Sequence, residues 1–179
     1  LNDKYINAFI NLGNLKRDLN KFDEAIELYQ KAEIISNNNP IVYYSLALAH
    51  QGIGNFQKTI SYSKKTLEIN PNFTRADLLI SQSTKYQEND EHYHSLKKKI
   101  VSMKAKSFEM VDLCFSLSKA EEDLKNIEEA SKYMVNGNKI KKELIKYDVK
   151  EDLNLIRNIQ EKFDKLNISD INKKEKDPI

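Results

Sequence analysis

From residue 40 the chain reads PIVYYSLALAHQGIGNFQKTISYSKKTLEINP. Tyr43, Leu46, Ala47 and His50 fall at i, i+3, i+4 and i+7, the spacing of one face of an α-helix. Gly52 and Gly54 interrupt that pattern, and Asn55 stands where it can cap a new helix. Phe56, Ile60, Lys64 and Leu67 then recur at similar spacing. Pro71 closes the stretch, because proline cannot continue the backbone bonding and disfavours helix in the residue before it. The unit is helix, turn, helix.

The same phrase is written elsewhere. NKFDEAIELYQKAEI at residues 20–34 matches GNFQKTISYSKKTLEI at 54–69, and KNIEEASKYM at 125–134 is a fainter copy. Phe22 aligns with Phe56 and Ile127, Ala25 with Thr59 and Ala130, and Tyr29 with Ser63 and Met134. The first offset is 34 residues and the last is about three such periods. A period in this range marks an architecture of stacked repeats. Within a repeat, small residues (Gly13, Ala25, Ala32, Ala47) let the two helices approach closely, and large ones (Phe9, Tyr29, Tyr43) fill the space between hairpins.

These residues resemble the tetratricopeptide repeat. Leu12-Gly13, Ala25, Tyr29 and Ala32 carry the likeness in the first copy; Tyr43, Leu46, Ala47, Gly54 and Pro71 carry it in the second. Phe9 and Tyr43 stand where the family usually has Trp, and Thr59 and Thr66 replace preferred alanines. A third copy keeps helical periodicity at Leu78, Leu79, Tyr86, Leu96 and Ile100 without the small-residue signature. A fourth is recognisable at Leu117, Leu124, Ala130 and Tyr133.

The resemblance implies an all-α, right-handed superhelix of helical hairpins with a C-terminal capping helix. Helices are expected near 3–18, 22–36, 40–53, 56–69, 74–87, 90–104, 107–124, 127–146 and 150–166. The repeat domain covers residues 1–167, with hairpins near 6–39, 40–73, 74–106 and 107–147 and the cap at 150–166. Leu155, Ile156, Ile159 and Phe163 form the apolar stripe of that cap.

Composition narrows the class. With 40% hydrophobic and 31% charged residues and little Gly or Pro, the chain reads as a soluble helical protein. No apolar run approaches membrane-spanning length and no signal-peptide pattern opens the chain. One cysteine excludes an internal disulfide framework and suits a reducing, cytoplasmic setting. The net charge of +2, spread among interspersed acids, points away from nucleic acid.

Catalytic chemistry finds no purchase in the pattern, and neither a cofactor nor a metal is expected. His92 and His94 sit two residues apart, about 200° around a helix, so they cannot share a metal; both read as surface residues. His50 reads as a packed, hydrogen-bonded side chain. Cys114 reads as a buried thiol with no base nearby to activate it. The acidic run KAEEDLKNIEE reads as a solvated helix face, and Asn136-Gly137-Asn138 as a kink or weak spot in a helix.

What remains is a surface. Stacked hairpins line a groove with their first helices, and such grooves bind extended peptides or partner domains. The family pattern projects Asn7, Ile10, Asn14 and Arg17 onto it from the first copy. Tyr44, Leu48 and Gln51 follow from the second, and Arg75, Leu78, Gln82 and Lys85 from the third. The alternative is that Tyr44 and Leu48 are covered by the cap. The two-carboxylate clamp known in the family is not expected: Asn14 and Arg75 match it, but Ile10, Ser45 and Leu79 occupy other clamp positions. The partner is a protein or peptide, with no nucleic acid and no membrane.

The second half, residues 116–179, resembles bacterial proteins in which tetratricopeptide repeats precede a sulfotransferase domain. There, a closing NKKEKDPI leads into the first catalytic strand, so residues 168–179 are expected to be a charged linker toward a missing downstream domain. Two functions follow. One is a non-catalytic protein-interaction scaffold. The other is the N-terminal substrate- or partner-presenting module of a larger sulfotransferase, whose catalytic domain would lie outside these residues.

Overall fold

The computed structural model describes residues 3–103, 105–146 and 148–165. Among them the chain forms nine α-helices and no strand. They are α1 (Asp3–Asp18), α2 (Phe22–Ile35), α3 (Pro40–Gly52), α4 (Phe56–Ile69), α5 (Thr74–Ser83), α6 (Glu91–Ser102), α7 (Phe108–Asp123), α8 (Ile127–Ile145) and α9 (Val149–Asp164). The chain divides into two compact units, Leu1–Leu144 and Ile145–Ile179. No described helix is long and apolar enough to cross a membrane. The linker expected at 168–179 lies outside the described residues.

The first unit is a superhelical stack of helical hairpins. Its helix boundaries follow from local chemistry. Asn39 and Asn55 cap α3 and α4, accepting from Ile41 N–H at 2.9 Å and Lys58 N–H at 3.1 Å. Pro40 at the start of α3 sacrifices no helical bond. Between the helices of hairpins one, two and four, the turn is the same. Asn20, Gly54 and Lys125 each take a positive φ, of 58°, 76° and 65°. The next residue's N–H reaches five back, as in Lys21 to Lys16, Asn55 to His50 and Asn126 to Glu121. This satisfies carbonyls at the helix C-terminus that would otherwise lack partners.

Close helix approach depends on the small residues. Ala25, Ala32 and Ala47 are fully buried. Gly13 lies under the Tyr29 ring, where a Cβ would overlap ring carbons. Ile6, Ile10, Tyr29, Val42, Tyr43 and Leu46 form the core of hairpins one and two, with Phe9 partly buried against it. A second core gathers Tyr86, Tyr93, Leu96, Leu113, Leu117 and Ala120. Asn136 to Asn138 do not break α8. Gly137 is instead a contact point, where a Cβ would come within 2.9 Å of Phe115 and 3.0 Å of the Cys114 Cβ.

The third hairpin departs from expectation. α5 ends at Ser83, four residues before the predicted end, and Thr84 is extended with φ −116° and ψ 147°. Leaving the helix lets Tyr86 turn inward. Its ring is buried, its hydroxyl meets Ser81 Oγ at 2.8 Å, and its N–H donates to Asp123 Oδ2 at 3.0 Å. The tertiary partners outweigh a helical propensity worth only tenths of a kcal/mol per residue.

In the second unit α9 is strongly amphipathic, opened by an Asp148 side chain that accepts from Lys150 N–H at 2.9 Å. Leu155, Ile156, Ile159 and Phe163 are all exposed.

Candidate functional site

α1, α3 and α5, the first helices of their hairpins, bring together five of the projected groove residues. Asn14, Arg17, Tyr44, Leu48 and Arg75 line one cleft of about 400 Å³, with Ile41, Ser45 and Phe73 completing its wall. Asn14 is held by Tyr29, whose hydroxyl donates to Asn14 Oδ1 at 2.8 Å. Tyr44 packs against Phe73 with ring centroids 4.9 Å apart. Burial pushes the Tyr44 phenol up, while the Arg75 charge opposes this. Arg75 is exposed.

The other projected residues scatter. Gln51 donates to Gln82 Oε1 at 3.2 Å, joining α3 to α5 beside the cleft. Leu78 is half-buried and Asn7 is exposed. Ile10 is a correction: at 5% exposure it belongs to the core of the first hairpins. Lys85 is another, since it follows the end of α5 and sits on extended chain rather than on a groove helix. Leu79 is buried too, and Ser45, though on the cleft wall, exposes little surface, so these two positions and Ile10 supply none of the charged or amide groups a carboxylate clamp needs.

A second cleft of about 420 Å³ adjoins the first through Phe73 and Arg75. Asn70, Asn72, Thr74, Phe108, Glu109 and Asp112 complete it. Thr74 Oγ1 donates to Asp112 Oδ2 at 2.8 Å. Burial raises the Asp112 carboxyl above its ordinary range against that hydrogen bond. Glu109 is held below its ordinary range, first by the Ser107 hydroxyl. The sequence projection missed Phe73, Glu109 and Asp112 because it was confined to the first helices of three repeats. Asp112 comes from the fourth, and Phe73 precedes α5.

Away from the groove, the histidine expectations change. His92 is not a free surface residue. Its Nε2 lies 3.1 Å from Asp77 Oδ1 and its Nδ1 2.6 Å from Tyr86 Oη. Lys99 donates to both oxygens of Asp77, which is completely buried. One signal of this was present: Asp77 stands 34 residues after Tyr43, where earlier repeats place an aromatic. A charge at a core position requires a partner. His94 is exposed as expected. His50 is buried and stacks on Tyr62 with centroids 5.4 Å apart, but neither ring nitrogen has a hydrogen-bond partner among the described residues. Burial therefore pushes its imidazole pKa down.

The acidic run that spans the end of α7 and the start of α8 is likewise only partly solvated. Glu121 is buried, accepting from Tyr93 Oη–H at 2.8 Å and Asn126 Nδ2–H at 2.9 Å, with Lys97 at 3.3 Å. Burial alone would raise this carboxyl, and the Asn126, Tyr93 and Lys97 partners together bring it below its ordinary range. Cys114 is buried, and burial pushes its thiol up, away from the reactive thiolate.

Helical hairpins stacked at a 34-residue period, with first helices lining a cleft, define a helical-repeat protein. Residues 13–54 match the family described as TPR repeat, and residues 41–73 match that described as tetratricopeptide repeat. The chain carries tetratricopeptide repeats over this stretch. A small glutamine-rich tetratricopeptide repeat-containing protein of Dictyostelium discoideum is 33% identical over 66 residues. That match covers 37% of this chain and 20% of the relative, so the chain spans about a fifth of the relative's length. A crystal structure of MamA superposes with a TM-score of 0.62 at 22% identity, covering 79% of this chain and 81% of that one. A second MamA structure gives 0.59 at 20% identity, covering 80% and 76%. These likenesses show the fold.

Proposed function

We propose that this chain is a non-catalytic protein-interaction scaffold whose groove takes an extended peptide or partner segment. The convergence of Asn14, Arg17, Tyr44, Leu48 and Arg75 on one cleft supports this most directly. Such a cleft joins a tyrosine to two arginines, residue types on which interface energy concentrates. Tyr44→Ala should weaken binding of a peptide selected from a random library against the intact chain, with the helical circular dichroism spectrum unchanged. Equal affinity in Tyr44→Ala, Arg75→Ala would move the binding surface elsewhere.

A second reading makes the chain the N-terminal presenting module of a sulfotransferase. The resemblance over residues 116–179 favours it, together with the exposed apolar face of α9, which a further domain would cover. Sequencing the gene downstream of residue 179 tests it. A strand followed by a Gly-rich phosphate loop supports this reading, and a stop codon removes it.

A further inference from the structure

The two adjoining clefts carry opposite charge. Arg17 lines the first, Glu109 and Asp112 line the second, and Arg75 stands where they meet. Aromatic rings run along the join. Tyr44 packs on Phe73, and Phe108 is 53% exposed at the edge of the second cleft. Among the described residues neither Asp112, Glu109 nor Arg75 forms an ion pair within 4.0 Å.

Asp112 is half-buried, and among the described residues the one hydrogen bond to its carboxylate is a neutral one from Thr74. A partly desolvated carboxylate gains most from a cation that completes its shell. Phe73 and Phe108 line the same cleft, and aromatic rings also attract cations. The second cleft is therefore matched to a lysine or arginine side chain. On the other side of Arg75 the first cleft is lined by a second arginine, Arg17, whose guanidinium makes a single surface contact with Asp18 at 3.2 Å and keeps its other donors for a carboxylate, which arginine binds through paired N–H groups. A polyanion such as RNA would meet Glu109 and Asp112 and be repelled there.

We propose that the paired clefts read an extended peptide at two positions of opposite charge. An acidic side chain sits against Arg17 and Arg75, and a basic side chain sits between Phe73 and Phe108 against Glu109 and Asp112. The proposal rests on the reading of the groove as a peptide site. It adds that the basic residue is required and sets the order of the two charges along the ligand. Charge placement of this kind favours one partner over others by penalising like-charge pairs more than by adding affinity.

The test uses the full chain and fluorescein-labelled peptides read by anisotropy. Each peptide carries one Glu, one Arg, both or neither on a neutral background. The spacing in the two-charge set runs from about two to about six residues, since an extended chain advances about 3.3 Å per residue. The expected result is one spacing at which the two-charge peptide binds about tenfold tighter than either single-charge peptide. Glu109→Lys, on an exposed residue, should abolish that advantage and instead favour a peptide with Glu in place of Arg. Two outcomes overturn the proposal while leaving the groove reading intact: the acid-only peptide binds as tightly as the best two-charge peptide, or Glu109→Lys leaves the discrimination unchanged. If wild-type, folded by circular dichroism, binds no peptide of the set and Tyr44→Ala changes nothing in the library selection, both readings fall.

Discussion

Lys99 Nζ lies 2.8 and 2.7 Å from the two carboxylate oxygens of Asp77, a residue with no exposed surface. Phe9 and Tyr43 occupy the corresponding positions of the first two repeats, so an ion pair does in hairpin three what aromatic packing does before it. Removing Lys99 leaves the buried Asp77 carboxylate with His92, at 3.1 Å, as its only remaining side-chain partner among the described residues, too little to offset its desolvation. Lys99→Met should destabilise the chain by about 3 kcal/mol in urea unfolding. Asp77→Leu, Lys99→Met should recover part of the loss, because two apolar groups leave no charge behind. A double variant less stable than Lys99→Met would contradict this account.

Small residues at helix contacts should resist enlargement. Gly13→Ala pushes a methyl into the Tyr29 ring, and Ala25→Leu and Ala47→Leu overfill fully buried sites. Each should cost about 1–3 kcal/mol. Unchanged melting temperatures in all three would mean that the repeat phase is wrong.

Lys125 takes a left-handed conformation that Gly54 adopts freely in the equivalent turn. A side chain there costs about 1 kcal/mol through its Cβ. Lys125→Gly should raise stability by up to about 1 kcal/mol, less the extra entropy of the unfolded glycine. Chemical denaturation measures it, and a loss of stability would show that Lys125 makes contacts worth more than the strain.

His50 should make stability fall in mild acid. Burial lowers its folded pKa below the unfolded value near 6.5, with Lys58 adding to the effect. The unfolded chain then binds the proton more readily. Stability is full above the unfolded pKa and declines as pH falls through it toward the folded one. Unfolding free energies at pH 7.5 and 5.5 should differ less in His50→Phe than in wild type. An identical difference in both would assign the acid sensitivity to other groups.

Helices α1 to α4 could be read almost to the residue. Their signals are local: Asn39 with Pro40, Asn55, Pro71, and apolar residues at helical spacing. Where the repeat phase is clean, the projected Asn14, Arg17, Tyr44, Leu48 and Arg75 share a cleft. Ile10 was misplaced because the projection gives a direction around the helix, whereas burial depends on what packs there. Here that is the core beneath Tyr29 and Tyr43.

The amino-acid sequence by itself determined the period, the all-helical class and most helix ends, because these depend on interactions within a few residues. The tertiary structure alone decided the early end of α5, the pairing of His92 with Asp77, the burial of Glu121, and the meeting of Phe73 and Arg75 with Glu109 and Asp112. Each depends on partners distant in the chain. Tyr86 leaves its helix to donate to Asp123, and Glu121 is desolvated because Tyr93 approaches from another hairpin. A polar residue's pattern shows that it must find a partner or water, but only the packed arrangement of hairpins supplies one within hydrogen-bonding distance.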